Sequence, residues 1–332
     1  MSIVERALQK AQAKAKGAPS TLQSPAEHDA TLAEPIAVAT VAEPTAVVTQ
    51  QPATGEALAA AVHDPKALVR IDVERLRAEG RLPSVDRAVQ TEEEVRRIKW
   101  PLLKAIEGGE GVAPARNNVL LVTSALAGEG KTFISLNLAL SIVRDRELRV
   151  VLVDGDVAKP GLTPSLGLEG KPGLNDALED TNLDVSTVTY QTDVDGLYFV
   201  PAGTWSPHAP EFFAGSRMPQ LIEALSRRVG RGVVIFDSPP LLATNEAQVA
   251  TRFAGQVLIV VRAEQTEQQA VLDAIALVDK EAPLSAVLNR CSPSPLSRYY
   301  GQYYYGHGYG AGYEHRYGRP SGDGPGKGSA GA

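Results

Sequence analysis

Residues 119–132 read VLLVTSALAGEGKT, and this stretch decides the fold that the sequence predicts. A short apolar run, Val119–Thr123, leads into a loop that contains glycine, and a helical segment follows from Lys131. A strand, a loop of this composition and a helix, in that order, are typical of a phosphate-binding loop (P-loop). Ala125 stands where the first glycine of the motif usually lies. We therefore predict a site for ATP at this loop.

Each residue type in the loop has a physical role. Gly128 and Gly130 allow backbone N–H groups to turn inward around phosphate oxygens, and the helix N-terminus adds its positive dipole end. Lys131 is expected to reach the β- and γ-phosphates, and the Thr132 hydroxyl to ligate Mg²⁺. The predicted nucleotide-binding residues of the loop are Gly128, Glu129, Gly130, Lys131, Thr132 and Phe133.

Two acidic motifs follow the loop. VVLVDGDVAKP (150–160) ends an apolar run with Asp154 and Asp156, and VVIFDSPP (233–240) ends another with Asp237. Ligands of open α/β sheets bind at the carboxyl ends of the strands, and a carboxylate after a buried strand commonly holds Mg²⁺ in P-loop proteins. The predicted catalytic set is Lys131, Asp154, Asp156 and Asp237. The predicted Mg²⁺ ligands are Thr132, Asp156 and Asp237, and the roles of Asp154 and Asp156 are interchangeable at this point.

Apolar runs alternate with helical segments along the rest of this region. Further runs occur at 197–200, 257–261 and 286–288. Buried strands that alternate with helices predict an α/β fold with a doubly wound, mostly parallel sheet and helices on both faces. We place this domain at residues 91–292. Ahead of it we predict an amphipathic docking helix over 1–16, for which a nascent helix on a floppy terminus is the alternative. A mostly disordered, Ala- and Pro-rich linker over 17–90 follows, with a brief helix near 71–80.

The aromatic residues are distributed unevenly. No Phe, Trp or Tyr occurs before Trp100, and eight of the ten tyrosines lie between Tyr299 and Tyr317. Residues 293–332 are rich in glycine and are predicted to form a flexible tail that exposes its tyrosines, although adhesive or RNA-binding tails share this composition. The candidate phosphorylation sites in the tail are Tyr299, Tyr300, Tyr303, Tyr304, Tyr305, Tyr309, Tyr313 and Tyr317.

Composition excludes several classes of protein. The one cysteine, Cys291, rules out an intramolecular disulfide framework and any multi-cysteine metal site. A net charge of -6 gives no reason to expect nucleic acid as the main partner. No apolar run approaches the ~20 residues of a membrane span, and the first residues lack the pattern of a secretory signal. We therefore expect a chain that is cytoplasmic, or that is held to a membrane by something else.

The loop, the DGD strand and the DSPP strand together resemble the bacterial P-loop tyrosine kinases, which are relatives of the ParA/MinD ATPases. The loops of ParA/MinD proteins carry an additional lysine where this chain has Leu126. The chain is most similar in layout to the tyrosine autokinases of exosortase-linked exopolysaccharide clusters. The segments that carry this likeness are MSIVERALQKA, RRIKWPLL, TSALAGEGKTF, VDGDVAKP and FDSPPLLAT.

This resemblance implies roles for further residues. Asn289 would read the adenine base. Glu93, Arg96 and Lys99 match an E-x-x-R-x-x-R helix that contacts a neighbouring subunit in a homo-oligomeric ring, although Lys99 replaces the last arginine with a point charge. Arginine often stands two residues beyond the second aspartate in the family, and this chain has Ala158 there.

The resemblance also implies a function. The chain would be an ATP- and Mg²⁺-dependent protein-tyrosine autokinase that modifies its own tail and regulates exopolysaccharide polymerisation and export. A transmembrane chain-length (co-polymerase) protein would hold it at the inner face of the cytoplasmic membrane, and a tyrosine phosphatase would reverse the modification. The alternatives are a ParA/MinD-like ATPase switch without kinase activity and a scaffold that binds nucleotide without turnover.

Overall fold

The computed structural model describes residues 68–108 and 116–291. The predictions for residues 1–16, for most of the linker and for the tyrosine tail lie outside the described residues. The strands are β1 (Val119–Ser124), β2 (Arg149–Asp154), β3 (Tyr190–Gln191), β4 (Leu197–Val200), β5 (Gly232–Asp237), β6 (Gln256–Arg262) and β7 (Leu284–Asn289). The helices are α1 (Val73–Ala78), α2 (Ala88–Gly108), α3 (Lys131–Val143), α4 (Leu174–Glu179), α5 (Ala209–Ala214), α6 (Arg217–Val229), α7 (Asn245–Thr251) and α8 (Gln268–Ala276). Two 3₁₀ turns cover Val85–Arg87 and Val185–Val188.

The strands form one sheet in the order β3-β4-β2-β5-β1-β6-β7. Every neighbouring pair is parallel except β3 and β4. The predicted α/β architecture with a mostly parallel sheet is therefore confirmed. The antiparallel strand β3 was not predicted, because two residues are too short a run to give a periodic signal.

The apolar core lies in two layers, one on each face of the sheet. Successive side chains of a strand point to opposite faces, so Leu121 and Phe236 join one layer while Leu120 and Ile235 join the other. Every residue of β1 and β5 is buried. Residues 119–122 of β1 and 233–236 of β5 are all apolar, as expected for strands with helices on both faces of the sheet, and the polar residues stand at the strand ends.

The folded region begins earlier than the predicted boundary at residue 91. Val69 forms a bridge with Thr192 beside β3, and the Ile71 N–H donates to Asp193 Oδ1 at 2.9 Å. Leu76 of α1 is 0% exposed. The prediction that residues 17–90 form a linker is thus wrong for residues 68–90. Three spaced apolar side chains are enough to dock this segment on the sheet, and they are too few to stand out against its polar residues.

Helix α2 begins at Ala88, directly after the 3₁₀ turn Val85–Arg87, and so crosses the predicted domain boundary at residue 91. Pro101 lies inside this helix. Among residues 68–108 and 116–291, no helix is both long and apolar enough to cross a bilayer.

Candidate active site

The phosphate-binding loop connects β1 to α3, as predicted. Gly128 and Gly130 have φ of 81° and 98°, in the left-handed region that favours glycine. Gly130 is the N-cap residue of α3 and has no side chain to cover the first N–H groups of the helix. A helix N-terminus with free N–H groups binds anions. The loop therefore has the backbone needed to receive phosphate oxygens.

The predicted carboxylates converge at the carboxyl ends of neighbouring strands. Asp154 of β2 and Asp237 of β5 are partners in register, and both are buried. Helix α3 reaches the same point, because the hydroxyls of Thr132 and Ser135 hydrogen-bond to Asp237, the second at 3.0 Å to Oδ1. The prediction missed Ser135. Its spacing of three residues from Thr132 places both on one face of the helix, and this signal was available in the sequence.

The two oxygens of Asp154 have contrasting surroundings. Oδ2 accepts hydrogen bonds from the Leu162 N–H at 2.9 Å, the Thr163 N–H at 2.7 Å and the Thr163 hydroxyl at 2.8 Å. Oδ1 is buried and has no hydrogen-bond partner within the described part of the chain. A buried oxygen without a donor needs an explanation, such as an ion, a water or a catalytic task.

Asp156 lies two residues further on, in a more open position. It is partly exposed, and its Oδ1 accepts the Lys159 N–H at 3.0 Å. Gly155 separates the two aspartates, and a Cβ atom there would lie 2.0 Å from a ring carbon of Phe236. Phe236 therefore packs closely on the backbone between the two carboxylates.

Burial governs the charge state of the site. It raises the pKa of Asp154 and of Asp156. Burial, and then the charge of Asp154, raises the pKa of Asp237 to about 7, and the Lys131 ammonium opposes this rise. Lys131 also opposes the rise at Asp156. The site therefore holds more carboxylate than positive charge, which suits a bound cation.

The oxygen donors fit Mg²⁺. No group of three or more His, Cys, Asp or Glu side chains is preassembled as a metal site in residues 68–108 and 116–291. Mg²⁺ in phosphoryl-transfer sites is commonly bound by one or two carboxylates together with substrate phosphates and water. Thr132, Asp156 and Asp237 supply oxygens of this kind beside the phosphate-binding loop.

The other predicted nucleotide-binding residues lie at or near the loop. Phe133 is partly buried and packs against the core. Glu129 turns its carboxylate into the protein and is 2% exposed. Asn289, at the end of β7, donates from Nδ2 to the Glu129 carbonyl at 2.8 Å. The structure thus brings Asn289 to the phosphate-binding loop, and its expected contact with adenine stays a prediction.

The predicted oligomer residues lie on α2, away from this site. Arg96 is exposed and pairs within its own helix with Glu93 at 3.0 Å and with Glu92 at 3.6 Å. Lys99 is directed to α3, where Nζ donates to the Ser141 carbonyl at 3.2 Å, and burial lowers its pKa. Glu93 and Arg96 are thus available on a surface, whereas Lys99 packs within its own subunit. A ring contact through these residues stays a prediction.

Comparison with known proteins identifies the relatives of this domain. No family model matches the chain. It is 35% identical over 150 residues to AmsA of Erwinia amylovora, which bears the name of a tyrosine-protein kinase, and 32% identical over 148 residues to the tyrosine-protein kinase Wzc of Salmonella typhimurium. Each match covers 45% of this chain and 20% of the relative, so the chain spans about a fifth of the length of these relatives.

A solved structure leads to the same group. The kinase domain of the Escherichia coli tyrosine kinase ETK matches with a TM-score of 0.51 and 26% sequence identity. The match covers 61% of this chain and 78% of that chain. The resemblance predicted from the loop and the two acidic motifs is therefore confirmed: the domain is related to the kinase domains of bacterial tyrosine kinases.

Proposed function

We propose that this chain, whose domain is related to those of bacterial tyrosine kinases, is an ATP-dependent protein-tyrosine kinase that phosphorylates tyrosines in its own residues 299–317. One observation carries the proposal. Lys131 and Thr132 of the phosphate-binding loop lie beside three carboxylates at the carboxyl ends of β2 and β5. Groups of these types position a nucleoside triphosphate and neutralise the charge on the phosphoryl group that is transferred.

The proposed reaction is an in-line displacement on ATP. The phenol oxygen of a tyrosine forms a bond to the γ-phosphorus, the bond from that phosphorus to the β–γ bridging oxygen breaks, and ADP leaves. Lys131 stabilises the charge on the phosphoryl oxygens. Thr132, Asp156 and Asp237 would hold Mg²⁺, which supplies further neutralisation of phosphate charge when bound.

The proton of the phenol needs an acceptor. Asp154 is our first candidate, because its Oδ1 has no hydrogen-bond partner within the described residues and burial raises its pKa. A carboxylate whose pKa is raised binds a proton more strongly once it is ionised. Asp156 is the second candidate, since it is more exposed and lies closer to the protein surface.

Phosphorylation of the tail would change its charge greatly. From Arg298 to the end, four basic side chains stand against two acidic ones. Eight phosphotyrosines would add roughly -12 to -16 charges. We propose that this change regulates exopolysaccharide polymerisation and export by altering assembly of the chain with itself and with a membrane-spanning co-polymerase, contacted through residues 1–16, and that a tyrosine phosphatase resets it.

The test is direct. The purified full chain is incubated with Mg²⁺ and ATP, and phosphotyrosine is mapped by mass spectrometry. We expect modification within residues 299–317, reduced by about 100-fold or more in Lys131→Ala and unchanged in Lys171→Ala, an exposed lysine outside the site. A wild-type chain that binds ATP and forms no phosphotyrosine would refute the kinase proposal. Hydrolysis of ATP without phosphotyrosine would favour the ATPase switch instead.

A mixing experiment separates transfer within a subunit from transfer between subunits. The Lys131→Ala chain keeps its tyrosines, and a second chain with all eight tail tyrosines changed to phenylalanine keeps its active site. Phosphotyrosine on the Lys131→Ala chain in the mixture would indicate transfer between subunits, which is compatible with the predicted ring. Its absence, with activity intact in the wild type, would indicate transfer within one subunit.

A further inference from the structure

Glu129 places a carboxylate within the phosphate-binding loop. Its carboxylate belongs to the residue just before Gly130 and Lys131, where a negative charge opposes phosphate binding. The side chain is 2% exposed, so this charge is directed away from the place where phosphates bind. A buried carboxylate must be satisfied by hydrogen bonds.

Both oxygens of Glu129 accept hydrogen bonds. Oε2 accepts the N–H of Leu126, at the start of the same loop, at 2.7 Å. Oε1 accepts the hydroxyl of Thr266 and, at 3.4 Å, the N–H of Arg262. The carboxylate therefore closes the loop on itself and also ties it to the turn between β6 and α8.

The same turn is tied to the end of β7. Arg262 and Asn289 are partners in the β6–β7 register, and the Asn289 carbonyl accepts the Ala263 N–H at 2.9 Å. The turn closes on itself, with the Thr266 N–H donating to the Arg262 carbonyl at 3.1 Å. Glu264, inside this turn, has φ of 62°, in the left-handed region that is uncommon for residues other than glycine.

Asn289 completes the arrangement from the other side. Its Nδ2 donates to the Glu129 carbonyl at 2.8 Å. A Cβ atom on Gly130 would lie 2.0 Å from that nitrogen. Glycine at 130 is thus required for its backbone conformation and also because the Asn289 amide occupies the space beside it.

We propose that Glu129, Thr266 and Asn289 form a clasp that holds the phosphate-binding loop in the shape that receives phosphates. Glu129 is then a positioning residue, because its side chain holds the loop and does not contact the phosphates. Asn289 supports phosphate binding in the same way, in addition to any contact that it makes with the base. The clasp deepens the proposed function, since it rests on nucleotide binding at this loop. A loop without the clasp visits the binding shape for a smaller fraction of the time, and its apparent affinity falls by that fraction.

Inorganic tripolyphosphate has no base, so its affinity reports on phosphate binding by the loop and not on recognition of adenine. Its affinity for the full chain is measured by displacement of fluorescent ADP, beside the affinity for MgADP. We expect Glu129→Gln, Thr266→Val and Asn289→Ala each to weaken tripolyphosphate binding by roughly 10-fold, the effect of losing a hydrogen bond to a charged or loop-closing group. Thr266→Ser keeps the hydroxyl and should restore wild-type affinity.

Thr251→Val is the matched control. Thr251 is a buried threonine whose hydroxyl donates to the Gln248 carbonyl at 2.7 Å, outside the site. Its loss should lower the unfolding midpoint without changing tripolyphosphate affinity. Unchanged tripolyphosphate affinity in Glu129→Gln and Thr266→Val, with Asn289→Ala losing affinity for MgADP alone, would overturn the clasp. A chain that binds both ligands and forms no phosphotyrosine would refute the kinase proposal and leave the clasp standing.

Discussion

Replacing Asp237 with asparagine should flatten the pH dependence of stability of the protein free of metal and nucleotide. Asp237 is 1% exposed, and burial with the neighbouring Asp154 charge raises its pKa from 3.8 to about 7. Between these two values the native state holds a proton that the unfolded chain has released. The resulting contribution to stability is fully present below pH 3.8 and is lost as the pH rises through about 7.

The size of the effect follows from the pKa. Each pH unit over which the native state holds one extra proton lowers the free energy of unfolding by about 1.4 kcal/mol. From pH 5 to the native pKa near 7, this amounts to about 3 kcal/mol. Asparagine has almost the same shape, and its Oδ1 can still accept the hydrogen bond of Ser135. Asparagine has no carboxyl proton to lose, so the stability of the variant lacks this dependence on pH.

The assay is urea unfolding at pH 5 and pH 8 in buffer with a metal chelator. We compare the two proteins by the wild-type free energy of unfolding minus that of Asp237→Asn. This difference should be about 3 kcal/mol smaller at pH 8 than at pH 5. Asp195→Asn, at an exposed aspartate, should show no such change. The same difference at both pH values would refute the claim that burial keeps Asp237 protonated near neutral pH.

Two further predictions concern the backbone that holds the aspartates. Gly155→Ala should destabilise the protein by about 1 to 3 kcal/mol, because the new Cβ would lie 2.0 Å from the buried Phe236 ring. In urea unfolding, the double variant with Phe236→Leu should regain part of this stability, and purely additive effects of the two changes would contradict the explanation. Thr163→Val should cost about 2 to 3 kcal/mol, because the hydroxyl donates to Asp154 and accepts the Ala202 N–H at 2.9 Å. Thr163→Ser should stay near wild type, and an equal loss in both variants would exclude the hydrogen bonds as the cause.

Local sequence patterns were sufficient to predict the central strands of this domain, the phosphate-binding loop and the helix that follows it. The apolar run of β1, the glycine loop and the start of α3 are adjacent in the chain, so their order identified the phosphate-binding loop directly. Asp154 and Asp237 each follow a buried strand, and the parallel sheet brings such strand ends to one edge. These features are encoded by residues close in sequence, and the structure agrees with them.

Local patterns could not predict the contacts between residues that lie far apart in the sequence. The docking of residues 68–90 depends on a few apolar side chains, such as Leu76, that meet the rest of the core only after folding. Leu162 and Thr163, which saturate one oxygen of Asp154, lie in an irregular loop without periodicity. The direction of the Glu129 side chain depends on a turn more than 130 residues away.

The sequence by itself predicted a chemistry for this protein: a lysine and a hydroxyl for phosphate and Mg²⁺, carboxylates at strand ends, and a cluster of tyrosines as candidate substrates. These are residue types at fixed spacings, and a spacing within one strand–loop–helix unit survives folding unchanged. Only the tertiary structure decided the electrostatic state of the site. Burial raises the pKa of Asp237 to about 7, and the carboxylate of Glu129 points inward. Both outcomes depend on which distant groups exclude water from each carboxylate, and no local spacing encodes that.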